Sequence, residues 1–218
     1  MQDQRAELEW RDGRVPVSVQ FDDPYFSLED GMAETAHVFL GGNDLPARFC
    51  DGFHVAELGF GTGLNFLVAL KAFRESGCGG VLRFTSFEAF PMAMDDLRQA
   101  LSAFADLPDA LEVAEFPVAL DGADFELRVV VGDARETLSE WEGAADAWFL
   151  DGFSPAKNPE LWSPELMAEV GRHTVQGGTA ATYTAAGFVR RGLADAGFEV
   201  ERVQGYGRKR HMTRGIKA

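Results

Sequence analysis

The sequence predicts an α/β fold: a doubly wound, mostly parallel sheet with an antiparallel hairpin at its C-terminal edge and a small β extension at its N-terminus. Three observations lead there. Strand-like and helix-like patterns alternate through most of the 218 residues, as they do where helices cross over between parallel strands. A glycine loop, "ELGFGTGLN", joins a strand pattern to a helix pattern. Acidic residues recur where successive apolar strands end, at Glu88, Asp133 and Asp151.

The elements follow in order. "AELEWRDGRVPVS" reads as a hairpin turning at Asp12 and Gly13. "FHVAELGFG" is a strand entering the glycine loop. "LNFLVALKAFRE" is apolar nearly all round, which predicts a buried helix, and Gly77 ends it. "LRFTSFEAF" is the second strand. In "MAMDDLRQALSAF", Leu97, Leu101 and Phe104 share one helical face. "FELRVVVGDA" is a strand, paired with "FPVAL" before it, and "AADAWFLDGF" is the next. Ser163 and Pro164 form an N-cap and first-turn pair for a helix through "ELMAEVGRHT". "GGTAATYT" is a strand, and "AAGFVRRGLADAG" a helix with Val189, Leu193 and Ala196 on one face. "FEVERVQGYG" and "RHMTRGIKA" form the closing hairpin. With no repeat, low-complexity tract or long linker, the expectation is one domain: residues 1–50 as the extension and residues 51–218 as the core.

Composition excludes several classes. At 46% hydrophobic and 25% charged the chain is globular. No apolar run approaches the roughly 20 residues of a membrane span, and "MQDQRAELEW" lacks the apolar stretch of a signal peptide. A cytoplasmic protein is expected. Cys50 and Cys78 stand alone and the four histidines are scattered, so neither a disulfide framework nor a bound metal is expected. The net charge of −15 argues against broad nucleic-acid binding. Residues 188–218, however, hold eight Lys or Arg against three acids. That basic end suits a local polyanion contact, or simply a solvated strand pair.

The glycine spacing carries chemistry. Gly59, Gly61 and Gly63 follow a G-x-G-x-G pattern, and position 64, where a dinucleotide fingerprint requires glycine, is Leu64. With Glu57 two residues upstream of the first glycine, this suits S-adenosylmethionine better than a pyrophosphate. Asn65 closes the segment and counts with the cofactor-binding residues. Glu88, at the end of the second strand, is placed to accept both hydroxyls of a ribose. Asp133 follows the third strand, where it suits an adenine amino group. Each acid alone also reads as a solvated loop residue or helix cap.

Asp151 ends the strand "AWFL" and opens the loop "DGFSPAKNPELW". It is expected at the mouth of the sheet, where a donor methyl would point. An alkylammonium has a pKa near 10 and must lose a proton before it can attack. A carboxylate there can orient the amine and accept or relay that proton. Phe153 is expected to stack on a planar base, and Pro155 and Pro159 stiffen the loop around Lys157, which is counted with substrate contacts. The alternative for Asp151 is a loop-capping acid.

Together "VFLGGNDLPARF", "ELGFGTGLNFL", "FTSFEAFP", "DAWFLDGFSPAKNPELW", "TAAGFVRRGLADAGF" and "GYGRKRHM" resemble the MnmC-type tRNA methyltransferase family. The resemblance runs from about Phe21 to the C-terminus. It implies a Rossmann-like class I methyltransferase fold, S-adenosylmethionine as cofactor, and N-methylation of 5-aminomethyl-2-thiouridine at the tRNA wobble position. By resemblance, Glu57, the three glycines, Glu88 and Asp133 fall on the cofactor site, and Asp151 on the active-site acid. Tyr25 and Asn43 fall on blocks near the cofactor. Arg208, Lys209 and Arg210 form a basic block suited to tRNA phosphates.

Two departures from the family pattern stand out. Many members are fused to a flavin-dependent oxidase that prepares the amine. This sequence ends at Ala218, so no flavin is expected, and either a separate oxidase partner supplies the amine or the chain is a fragment. Leu58 stands where the family often has a small residue. Two other functions remain open: a methyltransferase acting on a small amine, and a nucleotide-binding module without catalysis.

Overall fold

The computed structural model describes residues 5–27, 30–111, 116 and 118–218. Residues 1–4 of the polar N-terminus and Pro117 of "FPVAL" lie outside the described residues. Strands β1 (Leu8–Arg11), β2 (Val15–Ser18) and β3 (Asp23–Pro24) make a three-stranded antiparallel sheet. Its first turn uses Asp12 and Gly13 in left-handed conformations, as expected. Helix α1 (Gly31–Thr35) is capped by Asp30, whose side chain accepts from the Ala33 amide at 2.9 Å. It runs on into a π-helical turn, Ala36–Leu40, and a 3₁₀ turn, Gly41–Asn43.

The main sheet has eight strands. In chain order they are β4 (His54–Leu58), β5 (Leu82–Glu88), β6 (Ala119–Asp121), β7 (Phe125–Val131), β8 (Ala145–Leu150), β9 (Thr174–Thr182), β10 (Phe198–Gln204) and β11 (His211–Lys217). Their spatial order is β10-β11-β9-β8-β4-β5-β7-β6. Neighbours from β9 to β7 are parallel; β6 and β11 run antiparallel to their neighbours. The hairpin of β10 and β11 forms as expected. Its second strand lies inward, between β9 and β10, so β10 is the edge.

Crossover helices are α2 (Leu64–Ser76), α3 (Met94–Leu101), α4 (Ala134–Glu140), α5 (Pro164–Arg172) and α6 (Gly187–Asp195). Gly77 ends α2 in a left-handed conformation, and Ser163 caps α5 by accepting from the Leu166 amide. Helix α3 stops at Leu101, so Phe104 packs from the following turn onto Phe26 rather than from the helix face. Strand β8 shows why both sheet faces are covered. Successive residues point to opposite faces. Phe149 packs with Phe39, Phe66 and Phe84 on one face, while Trp148 and Leu150 pack with Trp162, Leu166 and Leu193 on the other. An unbroken apolar run is what a strand buried on both faces requires.

From β4 the chain continues to β5 and β7 on one side, while β8 and β9 return on the other. The reversal opens a crevice beyond the carboxyl ends of β4 and β8, the usual ligand position in such sheets. Among the described residues, no helix is long and apolar enough to cross a membrane. Cys50 and Cys78 are exposed free thiols.

Candidate active site

A cavity of about 940 Å³ occupies that crevice. Its floor is backbone. The Gly59 amide donates to Phe87 O at 2.9 Å and the Asp151 amide to Leu58 O at 3.1 Å, so the sheet's hydrogen bonding continues past the strand ends. Gly59 has φ +88°, and a Cβ there would lie 2.2 Å from the Asp151 carbonyl oxygen. Only glycine allows the two loops this approach.

Asn65, in the first turn of α2, ties the acids together. Its Nδ2 donates to Glu57 Oε1 at 2.9 Å and to Asp151 Oδ2 at 2.7 Å, and its Oδ1 accepts from Thr35 Oγ1 at 2.8 Å. Burial pushes the Asp151 carboxyl up to about 7; the Asn65 hydrogen bond and Lys209 oppose this, while Glu34 and Asp23 add to it. Glu57 is fully buried, and burial holds its carboxyl well above the usual range against hydrogen bonds from Ser86 and Asn65.

Glu88 lines the cavity at the tip of β5. Its oxygens accept from the Gly61 amide at 2.9 Å and the Phe90 amide at 2.8 Å. Burial raises its pKa and these amides oppose the rise. Asp133 caps α4 through the Arg135 amide and pairs with the Arg135 side chain, whose hydrogen bonds hold its carboxyl below the usual range. It keeps a helix-cap role while lining the cavity.

The walls are aromatic. Phe153 stacks on Phe21 with centroids 4.7 Å apart and meets the Tyr25 ring edge-on at 5.1 Å. One face of Phe153 is thus covered from within the chain, so a stacked base would meet only its remaining surface. Tyr25 packs beside Gly61, and burial raises its phenol, with Glu88 adding. Lys157 bonds Asp22 and lies near Asp23. Lys209 pairs with Glu34 at 2.8 Å over the Tyr183 ring.

Of the residues singled out from the sequence, Tyr25, Gly59, Gly61, Asn65, Glu88, Asp133, Asp151, Phe153, Lys157, Arg208 and Lys209 line this one cavity. Four do not. Glu57 lies beneath the floor and reaches the cavity through Asn65. Gly63 turns the chain into α2 with φ +76°. Arg210 lies in the exposed loop before β11. Asn43, expected near the cofactor, does not reach the cavity and is instead fully buried between the helical run and strands β8 and β9. It donates to Phe39 O and Trp148 O and accepts from Thr179 Oγ1, so its amide fastens the helical run to the sheet.

Glu34, Thr35, Tyr183 and Phe21 line the cavity without having been singled out. Tyr183 follows β9 as the acids follow their strands, so its strand-end position was an available signal. Nothing local marks Glu34.

The donor set fits S-adenosylmethionine. A glycine turn admits ligand to the backbone. Glu88 lines the cavity with one hydrogen bond to each oxygen, which leaves acceptor capacity for hydroxyl donors. Asp133 at the neighbouring strand tip has both oxygens engaged by Arg135 and would have to loosen that pair to accept an amino group. The acids around the cavity complement a cationic sulfur.

The family model for S-adenosyl-L-methionine-dependent methyltransferases matches residues 97–218. The chain belongs to that methyltransferase family. It is therefore an enzyme family member rather than a bare nucleotide-binding module. The chain is 44% identical, over 98% of its length, to the tRNA 5-methylaminomethyl-2-thiouridine biosynthesis bifunctional protein MnmC of Pseudoalteromonas atlantica. It is 46% identical, over 97% of its length, to the protein of that name from Pseudomonas aeruginosa. It spans about a third of those relatives, 34% and 35% of their lengths. The crystal structure of MnmC2 from Aquifex aeolicus superposes with a TM-score of 0.76 at 28% identity, covering 98% of this chain and 71% of that one. The methyltransferase is thus related to MnmC across nearly its whole length.

Proposed function

We propose that this methyltransferase converts 5-aminomethyl-2-thiouridine at the tRNA wobble position to 5-methylaminomethyl-2-thiouridine, in the cytoplasm. The observation that carries the reading is Asp151. It is a carboxylate shifted up to about 7 by burial, at the inner end of an aromatic cavity whose rim includes Lys157, Arg208 and Lys209. The names of the bifunctional relatives support the substrate.

Glu88 and Asp133 would hold the ribose and adenine of the cofactor, with Gly59 and Gly61 giving its amino-acid end access to backbone. S-adenosylmethionine, when bound, supplies an electrophilic methyl carbon on a cationic sulfur, which an amine lone pair displaces while the bonding electrons stay on sulfur. Asp151 accepts the proton that the substrate ammonium must lose first, a transfer suited to an acid with a pKa near neutrality. Asn65 keeps one Asp151 oxygen fixed while the other faces the cavity. Phe21, Phe153 and Tyr25 keep water from the reacting nitrogen. Arg208 and Arg210 would meet backbone phosphates. The chemistry also requires an upstream activity that makes the aminomethyl group, such as an oxidase.

One observation favours a small amine as acceptor instead. Lys157 and Lys209 are already paired with Asp22 and Glu34, which weakens the basic rim. Incubation with methyl-labelled S-adenosylmethionine and tRNA bearing 5-aminomethyl-2-thiouridine separates the two. Label in 5-methylaminomethyl-2-thiouridine after digestion is expected. Label that enters free amines and never RNA would rule tRNA out.

A further inference from the structure

Lys209 carries an alkylammonium, the same group that an amine acceptor brings to the reaction. Its Nζ lies 2.8 Å from Glu34 Oε1 and 4.1 Å above the centre of the Tyr183 ring. The ring is held in place, because the Tyr183 hydroxyl donates to Gly152 O at 2.7 Å, one residue from Asp151. Glu34 is the next-to-last residue of helix α1, and the last, Thr35, bonds Asn65 at 2.8 Å. The carboxylate and the ring are therefore anchored to the same framework as Asp151. Glu34, Tyr183, Lys209 and Asp151 line one cavity, and the charges of Lys209 and Glu34 both act on Asp151.

A carboxylate facing an aromatic ring recognises an alkylammonium by two forces at once. The anion accepts a charge-assisted hydrogen bond, and the ring quadrupole attracts the cation within about 6 Å of the centroid. A neutral hydroxyl in that position can still donate to the carboxylate, but it gains neither the ion-pair attraction nor the pull of the ring on a cation. Glu34 does not need to be there to balance Lys209, which lies in an exposed loop between β10 and β11 and could hold its charge in water. That loop also carries Arg208 and Arg210, and its flanks are the two strands of the C-terminal hairpin.

We propose that Glu34 and the face of Tyr183 form the seat of the substrate's ammonium, and that Lys209 occupies this seat until an anionic substrate draws its loop outward. The seat presupposes the amine acceptor proposed above. It adds a residue pair that selects a cationic over a neutral side chain beside Asp151, and it makes Lys209 an internal competitor of the substrate. Asp151, one loop away, takes the proton; Glu34 and Tyr183 are specificity residues that hold the cation near it.

The test uses the full chain and n-propylammonium chloride as probe, with binding followed by NMR at constant ionic strength. Lys209→Met keeps the stem and removes the charge. It should bind the probe about tenfold more tightly than the unaltered chain. Adding Glu34→Gln to Lys209→Met should abolish that gain, and Tyr183→Leu should reduce it while Tyr183→Phe preserves it. Thermal melts of each variant identify any that fail to fold, and the Tyr183 pair then carries the comparison in place of Glu34→Gln. No gain in Lys209→Met, or a gain that survives both Glu34→Gln and Tyr183→Leu, overturns the seat. Label transfer to tRNA by the unaltered chain separates the two ideas. Normal transfer without the binding pattern removes the seat alone, and the pattern without any transfer removes the tRNA substrate alone.

Discussion

The side-chain nitrogen of Asn65 donates to Asp151 at 2.7 Å, and its second hydrogen goes to Glu57 at 2.9 Å. One neutral amide thus satisfies two buried acids. Replacing Asn65 by Leu leaves an oxygen of each without a donor. A loss of about 1–3 kcal/mol in folding stability is expected from an unsatisfied buried acceptor, read as a lower urea midpoint. Because this hydrogen bond holds the Asp151 pKa down, the same variant should move the acidic limb of the rate profile to higher pH.

Asp151 must be a carboxylate to accept a proton, and its pKa is pushed up to about 7. The single-turnover rate should therefore rise with pH through about 7 and level off above it. Asp151→Asn should lose that limb and fall in rate by roughly 10²-fold or more, the usual contribution of a positioned base. Cofactor affinity, measured by calorimetry, should change little. A rate in Asp151→Asn equal to that of the unaltered chain would remove Asp151 from the chemistry.

The same acid should oppose folding once it is ionised. Its folded-state pKa is raised, so its favourable contribution is complete below the unfolded value near 3.9 and disappears as pH rises through about 7. Asp151→Asn is neutral throughout. Its melting temperature should gain on the unaltered chain between about pH 4 and pH 7 and hold a constant lead above that. The lead should correspond to roughly 2 kcal/mol, after allowance for the partial exposure of the carboxyl to the cavity. A gap that does not vary with pH would contradict the burial argument.

Gly59→Ala tests the contact between the two loops. A methyl there meets the Asp151 carbonyl at 2.2 Å on a backbone with φ +88°. Either the turn or the Asp151 loop has to move. A destabilisation of about 2 kcal/mol or more is expected, with weaker S-adenosylmethionine binding by calorimetry. Gly13→Ala is the reference, because its φ is +66° and no atom lies within 4 Å of the added carbon. It should show the backbone strain without the collision.

If RNA phosphates meet the basic loop, Arg208→Ala with Arg210→Ala should lower tRNA affinity. The slope of log K against log salt should become shallower by about two units. Filter binding across a salt series reads this directly. An unaltered slope would place the RNA elsewhere on the protein.

Much of the frame was legible because it rests on local chemistry. The G-x-G-x-G turn, the acids after β5, β7 and β8, the Ser163 cap and the Gly77 stop each declare themselves within a few residues. Depth was not legible. Glu57 and Glu88 look alike as strand-end acids. Both point to one face of the sheet. Glu57, however, sits one residue short of the end of β4, under the glycine loop beside Ser86 and Asn65, whereas Glu88 ends β5 and reaches the backbone amides of that loop. Asn43 sits in a block that borders the site, but its amide points to Trp148 O and Thr179 across the sheet. Glu34 and Lys209 are 175 positions apart, and no periodicity encodes their meeting. The inward position of β11 was also hidden, since a hairpin pattern does not say which of its strands joins the sheet.

Strand β11 is flanked on both sides by strands that precede it in the chain. Without residues 211–217 in place, β9 would present a raw edge on which another chain could pair. The inserted strand therefore guards the sheet against edge-to-edge aggregation as well as completing it.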